Sequence, residues 1–159
     1  GNSELGLCSN LSPDDPALCS LDWRVIHKEP VGLIVGKNHP FAHRSSVSVE
    51  DLRDERFIVY IRSFRGTNQM LYDLCSPYGF EPNIAMEAYN DYGVLNSVAS
   101  GDGIAIIPTT RFLERPDVVR IPLDLKEPLM RDLTLIWRKN EKLPPAAAAF
   151  RDMLISTAQ

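Results

Sequence analysis

The sequence lacks the features that mark membrane, disulfide-bonded and zinc-binding proteins. None of its apolar runs approaches the roughly 20 residues that cross a membrane. Its three cysteines, Cys8, Cys19 and Cys75, are odd in number and widely spaced. That pattern is typical of free thiols in a reducing compartment rather than of a disulfide framework. What remains is a chain of 159 residues, 44% apolar and 24% charged, which is an ordinary globular composition.

An excess of positive charge is also missing. The chain carries 17 basic and 21 acidic residues, for a net charge of −4. Such a chain has no global attraction to nucleic acids or to anionic membrane surfaces. A nucleic-acid-binding segment on another part of a longer protein remains compatible with this charge.

Catalytic and metal-binding motifs are absent as well. The sequence contains no serine nucleophile elbow, no Walker loop and no glycine-rich dinucleotide turn. The histidines His27, His39 and His43 have no cysteine or carboxylate cluster at zinc spacing. We therefore expect no catalytic residue, no metal ligand and no cofactor.

The most informative segment is Glu87–Pro108, with the sequence EAYNDYGVLNSVASGDGIAIIP. Asn90 and Asp91 are both good helix N-caps, and apolar residues then recur at helical spacing. Gly101 and Gly103 are expected to stop that helix. An apolar run follows without a polar face, which is typical of a strand buried on both sides. The segment therefore predicts a right-handed βαβ unit.

A second βαβ unit is predicted immediately upstream. The apolar run Phe57–Ile61 is followed by the polar loop Arg62–Thr67, a helix with an apolar stripe, and the strand Phe80–Ala88. Open α/β sheets bind ligands at loops that leave the carboxyl ends of parallel strands and lead into helices. The two such loops here are Arg62–Thr67 and Tyr89–Asp91.

The remaining elements are predicted from shorter patterns. We expect strands at 5–8, 23–28, 31–35 and 133–137, a strand or crossover at 118–123, and short helices at 48–53 and 109–113. The segment Pro144–Ser156 predicts an amphipathic helix, with a proline suited to its first turn. Its expected apolar stripe is formed by Ala147, Phe150, Met153 and Leu154.

Six phrases in register resemble the effector-binding domain of LysR-type transcriptional regulators. They are ELGL at 4–7, EPVGLIVGKNHPFA at 29–42, VEDLRDERFIVY at 49–60, GFEP at 79–82, the segment 87–108, and LTLIWRKN at 133–140. Each phrase is weak by itself, but together they cover nearly the whole chain in the family's order.

The resemblance implies an α/β fold of the type 2 periplasmic-binding-protein-like class, with two Rossmann-like lobes joined by two crossover strands. Lobe one would hold residues 1–28 and 123–159, and lobe two residues 29–122. The family's N-terminal winged helix-turn-helix and the first part of lobe one have no counterpart in this sequence. We therefore expect an incomplete first lobe with uncovered apolar surface.

The resemblance also implies a function. Family members bind a small, often anionic effector between the lobes, and binding alters how cytoplasmic homodimers or homotetramers contact DNA and control transcription in bacteria. We expect this chain not to be an enzyme and not to contact a membrane. The implied effector-binding residues are Ser63, Phe64, Thr67, Tyr89 and Asn90 of lobe two, and Cys8 and Ser9 of lobe one.

Other interpretations of these residues and of the chain remain open at this point. Ser63 and Thr67 are also typical of a turn and a helix cap, and Tyr89 of an aromatic residue covering a lobe. Arg62 and Arg65 would add positive charge for an anion, or lie on the solvated surface. The same fold also serves solute-binding proteins of transporters and a few enzymes, although the sequence offers no acid–base pair for catalysis.

Overall fold

A computed structural model describes residues 3–9, 16–61, 65–109 and 115–158. The strands are β1 Leu5–Ser9, β2 Leu21–Gly36, β3 Arg56–Tyr60, β4 Asn83–Ala88, β5 Ala105–Pro108, β6 Val118–Ile121 and β7 Met130–Arg138. The α-helices are α1 Arg65–Cys75, α2 Asp91–Ser100 and α3 Pro145–Thr157, and short 3₁₀ turns lie at Pro16–Ser20, Pro40–His43, Glu50–Leu52 and Ser76–Tyr78. No helix in this part of the chain is long and apolar enough to cross a membrane.

The chain forms two compact units. Unit 1 consists of Gly1–Glu29 and Arg131–Gln159, and unit 2 of Pro30–Met130. The lobe boundaries expected from the resemblance, at 28/29 and 122/123, stay a prediction. One expectation is corrected: the strands expected at 23–28 and 31–35 are one continuous strand, β2, which Pro30 does not interrupt.

Unit 2 contains both predicted βαβ units. β3 and β4 are parallel and joined through α1, and α2 joins β4 to β5. The segment entering β5 lies parallel to β3, because Ile58 N–H donates to Ile104 O and Ile104 N–H to Arg56 O, each at 2.8 Å. β5 and β6 both pair antiparallel with β2. The strand order is therefore β4-β3-β5-β2-β6, with β4 and β5 on opposite sides of β3.

Both faces of this sheet are buried, because alternate residues of a strand point to opposite faces. One face packs against the apolar stripe of α1, and the other against that of α2. On β3, for example, Phe57 and Val59 belong to the α1 core, and Ile58 and Tyr60 to the α2 core. Each fully buried side chain of this size contributes about 1.5–3 kcal/mol. This two-sided burial explains why the predicted strands carry no polar face.

The two glycines after α2 have different roles. Gly101 ends the helix in the left-handed conformation, with φ at 84°, as predicted from the sequence. Gly103 instead permits close packing, since a Cβ there would lie 2.4 Å from Arg56 O. Gly103 therefore lets the chain approach β3 where the sheet begins, rather than stopping the helix.

Unit 1 is a smaller sheet with one helix. β1 pairs antiparallel with β7, which in turn neighbours β2. The predicted C-terminal helix is confirmed as α3, but its expected stripe is not fully covered: Phe150 and Met153 are 50% and 52% exposed. Leu7 and Trp23 of the same unit are also exposed. Of the short helix expected at 109–113, only Thr109 lies within the described residues.

Candidate functional site

The candidate site lies at the carboxyl edge of the parallel strands in unit 2. β3 ends at Tyr60 and α1 begins at Arg65, so the first predicted loop leads directly into a helix N-terminus. The end of β3 is fixed by two hydrogen bonds: Asn68 Nδ2 donates to Tyr60 O at 2.6 Å, and Ile61 N–H to Ala88 O at 3.0 Å. Ser63 and Phe64 lie outside the described residues. Thr67 lies in the first turn of α1, and its side chain is outside the description.

The second predicted loop, after β4, leads into α2. Tyr89 is 78% exposed, so it does not cover the unit as a half-buried aromatic residue would. Asn90 is the N-cap of α2, and its Oδ1 accepts a hydrogen bond from Gly93 N–H at 2.9 Å. The amide Nδ2 of Asn90 makes no hydrogen bond to the described residues, so this group can donate to a ligand.

A tyrosine–aspartate contact joins the end of β3 to the start of α2. The hydroxyl of Tyr60, 8% exposed on β3, donates to Oδ1 of Asp91 in the first turn of α2. The carboxylate also interacts favourably with the positive end of the helix dipole. Sequence reasoning considered Asp91 only as a cap and Tyr60 only as core. The contact could have been anticipated from the position of Tyr60 at the end of a buried strand, because a buried tyrosine hydroxyl usually needs a hydrogen-bond partner.

Thr109, which follows β5, is a further buried polar residue at this edge. It is 8% exposed, and its N–H and Oγ1 donate to Pro30 O at 2.9 and 3.1 Å. Sequence reasoning missed this contact because the two residues are 79 positions apart. Pro30 lies in the middle of β2, so the contact ties the end of β5 to that strand.

In unit 1, Cys8 and Ser9 lie at the carboxyl end of β1, opposite Thr134 and Leu133 of β7. The Cys8 thiol donates to Thr134 O at 3.5 Å, and its partial burial raises the pKa of the thiol. Cys75, the last residue of α1, is fully buried, and burial raises the pKa of its thiol to about 11. Both thiols therefore stay protonated near neutral pH and are poor nucleophiles.

A separate groove of about 500 Å³ lies at the other end of α1. It is lined by Gln69, Tyr72, Asp73, Ser76, Gly79, Phe80 and Glu81. Because the 11-residue helix α1 is about 16 Å long, the groove lies on the opposite side of unit 2 from the carboxyl edge. The described residues contain no group of three or more His, Cys, Asp or Glu side chains that could hold a metal ion.

Comparison with known proteins identifies the family. The model of the LysR substrate-binding domain matches residues 11–159. YybE of Bacillus subtilis, an uncharacterised transcriptional regulator of the helix-turn-helix type, is 26% identical over 156 residues, covering 98% of this chain and 51% of its own length. GltC of the same organism, a transcriptional dual regulator, is 26% identical over 91% of this chain and 48% of its own length. The chain thus spans about half the length of these curated relatives.

Solved structures confirm the predicted fold. The regulatory domain of Synechocystis CcmR in complex with 2-PG has a TM-score of 0.83 at 19% identity, covering 99% of this chain and 74% of that one. The effector-binding domain of QuiR in complex with shikimate has a TM-score of 0.85 at 22% identity, covering 98% and 71%. The type 2 periplasmic-binding-protein-like fold is therefore the fold of this chain.

Proposed function

The chain belongs to the LysR substrate-binding domain family, and from that membership we propose that it senses a small effector for a bacterial transcriptional regulator. The observation that carries the proposal is the family match over 11–159 together with two helix N-termini at one edge of unit 2. The regulator acts in the cytoplasm as a homodimer or homotetramer, binds DNA through an N-terminal domain outside this chain, and is not an enzyme.

The effector site is formed at the carboxyl edge of unit 2 and completed by unit 1. Its residues are Ser63, Phe64, Thr67, Tyr89 and Asn90 from one side, and Cys8 and Ser9 from the other. The two sides belong to lobes at 29–122 and at 1–28 with 123–159. The small ligands named for the CcmR and QuiR domains support an effector of this size.

The α1 loop is the better place for an anionic group. At α1 the backbone amides of the first turn and the helix dipole favour negative charge. At α2, Asn90 caps the first turn and Asp91 places a carboxylate there. The α2 side therefore contributes the Asn90 amide and the exposed Tyr89 ring to the part of the effector that carries no negative charge.

A thermal-shift screen of the chain against small carboxylates and amino acids tests the proposal. A ligand at 100 times its dissociation constant stabilises the folded chain by about 2.7 kcal/mol. The matched controls are neutral amides of each hit, which are expected to give no shift because they lack the charge. If the chain is an effector sensor, at least one anion raises its melting temperature in a saturable way. No change in melting temperature with any of the carboxylates and amino acids contradicts the proposal. The named relatives are transcriptional regulators, so the transporter alternative has no support from them.

A further inference from the structure

The two helix N-termini at the carboxyl edge of unit 2 differ in charge. The first turn of α1 contains no acidic residue, and the sequence places Arg62 and Arg65 where that helix begins. The first turn of α2 contains Asp91, and residues 66–110 include five acidic residues but no Lys, Arg or His. An anionic group beside α2 would be repelled by the Asp91 carboxylate. The α2 side of the edge therefore favours a group of the opposite charge.

The carboxylate of Asp91 has one oxygen that is already bonded and one that can accept a further hydrogen bond. Oδ1 accepts from the hydroxyl of Tyr60, which holds the carboxylate in place against the last residue of β3. Within the part of the chain that the structure describes, Oδ2 accepts no hydrogen bond, and no Lys or Arg forms an ion pair with Asp91. Because a carboxylate oxygen has two acceptor sites, Asp91 can bind a donor from a ligand while it keeps its bond to Tyr60.

Exposed aromatic rings accompany this carboxylate in the sequence. Tyr89 lies two residues before Asp91 and is 78% exposed, and Tyr92 follows Asp91 directly and is 68% exposed. The face of an aromatic ring carries partial negative charge and attracts ammonium and guanidinium groups. A carboxylate and two exposed rings within four consecutive residues are thus a suitable environment for a positively charged nitrogen, and they offer no counter-charge to an anion.

The two loops are close enough for one small molecule to reach both. β3 and β4 are paired in parallel, with Tyr60 opposite Ala88 at their carboxyl ends. Neighbouring strands lie about 5 Å apart, so the two loops leave the sheet side by side. A molecule of a few carbon atoms can therefore place an anionic group beside the start of α1 and a cationic group beside the start of α2.

We propose that the effector carries a positively charged amino group in addition to its anionic group, as an amino acid does, and that Asp91 recognises the amino group. The ammonium donates a hydrogen bond to Asp91 Oδ2 and lies against the ring of Tyr89. A neutral hydroxyl in the same position supplies a donor but no charge to balance the carboxylate. The proposal rests on the proposed function of this edge and adds the chemical class of the effector.

Calorimetric titration with matched ligands tests the proposal. The tightest ligand from the thermal-shift screen is compared with the acid in which hydrogen replaces the amino group and with the acid in which a hydroxyl replaces it. For alanine, for example, these two partners are propionate and lactate. The amino acid is expected to bind roughly tenfold more tightly than either partner, because both partners lack the positive charge that pairs with Asp91.

Asp91→Asn tests the assigned residue, because it removes the charge but keeps an oxygen that can accept from Tyr60. This variant is expected to bind the amino acid about tenfold more weakly than the parent does, and the partner without the amino group equally well to within about twofold. Asp73→Asn, at an exposed position towards the other end of α1, makes the same change in net charge and should keep the parent's preference. Circular dichroism establishes that each variant is folded.

Tyr89→Leu is a second variant, at a largely exposed position on which folding does not depend. It is expected to weaken binding of the amino acid about two- to fivefold, since it removes the ring face that attracts the ammonium. In each variant the preference is the ratio of two affinities measured on the same sample. A partly unfolded sample lowers both affinities together and leaves this ratio unchanged.

Three results overturn the proposal while the proposed function stands. The tightest ligand of the screen lacks an amino group, the two matched partners bind as tightly as the amino acid, or Asp91→Asn keeps the parent's preference. A chain that binds none of the carboxylates and amino acids refutes the proposed function and this inference together.

Discussion

The hydroxyl of Tyr60, at the carboxyl end of β3, donates a hydrogen bond to Oδ1 of Asp91 in the first turn of α2. This contact joins residues 31 positions apart and fixes the start of α2, beside the second loop of the candidate site, against the end of β3. Tyr60 itself is buried in the core that packs against α2. The site is therefore positioned by the core of unit 2 rather than by its loops alone.

Removing the Tyr60 hydroxyl should destabilise the chain. Tyr60→Phe keeps the ring but leaves Asp91 without this donor, so the free energy of unfolding is expected to fall by about 1.5–3 kcal/mol, as for hydrogen bonds to charged groups. Urea unfolding measures it. The matched control is Tyr72→Phe on α1, where the ring is 40% exposed, and a change within about 0.5 kcal/mol is expected. Equal losses in the two variants would contradict the assigned role of Tyr60.

Asn90 should have two separable roles, capping α2 and contacting the effector. Asn90→Ala removes the oxygen that accepts from Gly93 N–H, and unfolding free energy should fall by about 1 kcal/mol. Asn90→Asp retains a capping oxygen but removes the amide donor. The Asn90→Asp variant should therefore keep the stability of the parent but bind the effector with lower affinity. If Asn90→Asp binds the effector as well as the parent does, the amide does not contact it.

The hydroxyls of the α1 loop should matter for affinity. Ser63→Ala and Thr67→Ala each remove a proposed hydrogen bond to a charged group, which is worth about 1.5–3 kcal/mol, or roughly tenfold or more in dissociation constant. Calorimetric titration measures it. Ser76→Ala, at the other end of α1, is the control and should bind like the parent. Affinities unchanged to within about twofold in both site variants would show that this loop does not hold the effector.

Burial of the Cys75 thiol should make stability fall at alkaline pH. The pKa of this thiol is raised from 9.0 to about 11 in the folded chain, so the folded state keeps a proton that the unfolded state loses. The associated stability is present below pH 9 and is lost as the pH rises towards 11. Urea unfolding across that range should show a steeper loss for the parent than for Cys75→Ala. Identical slopes in the two chains would mean that the thiol ionises equally in both states.

Local sequence patterns predicted most of the helices and strands of unit 2, because the apolar periodicity and the capping residues of each element lie within that element. The periodicity of 87–108 predicted α2, its cap and the buried strand after it, and the stripe of α1 was equally clear. The sequence did not predict β2 as one strand, because the patterns at 23–28 and 31–35 were assigned to two separate strands. Thr109 donates a hydrogen bond to the carbonyl oxygen of Pro30, and β2 continues through Pro30 without a break. The contact between Tyr60 and Asp91 joins residues 31 positions apart, and no local pattern specifies it.

The incomplete burial of the apolar stripe of α3 was also not predictable from a local pattern. The spacing of Phe150 and Met153 correctly predicted a helix with an apolar stripe. Which neighbours lie against that stripe depends on the tertiary structure, and in unit 1 both side chains are about half exposed. The apolar periodicity thus predicted the helix, but it did not predict how far the side chains of Phe150 and Met153 are buried.

The most direct test of the central claim is a ¹⁵N NMR titration of the chain with an anion from the thermal-shift screen. The account predicts saturable shifts at the carboxyl edge of unit 2, in the backbone amides of Thr67, Asn90 and Gly93. The amides of Asp73, Ser76 and Gly79, around the groove at the other end of α1, should stay unchanged. Saturable shifts confined to that groove, with the carboxyl edge unaffected, would contradict the account.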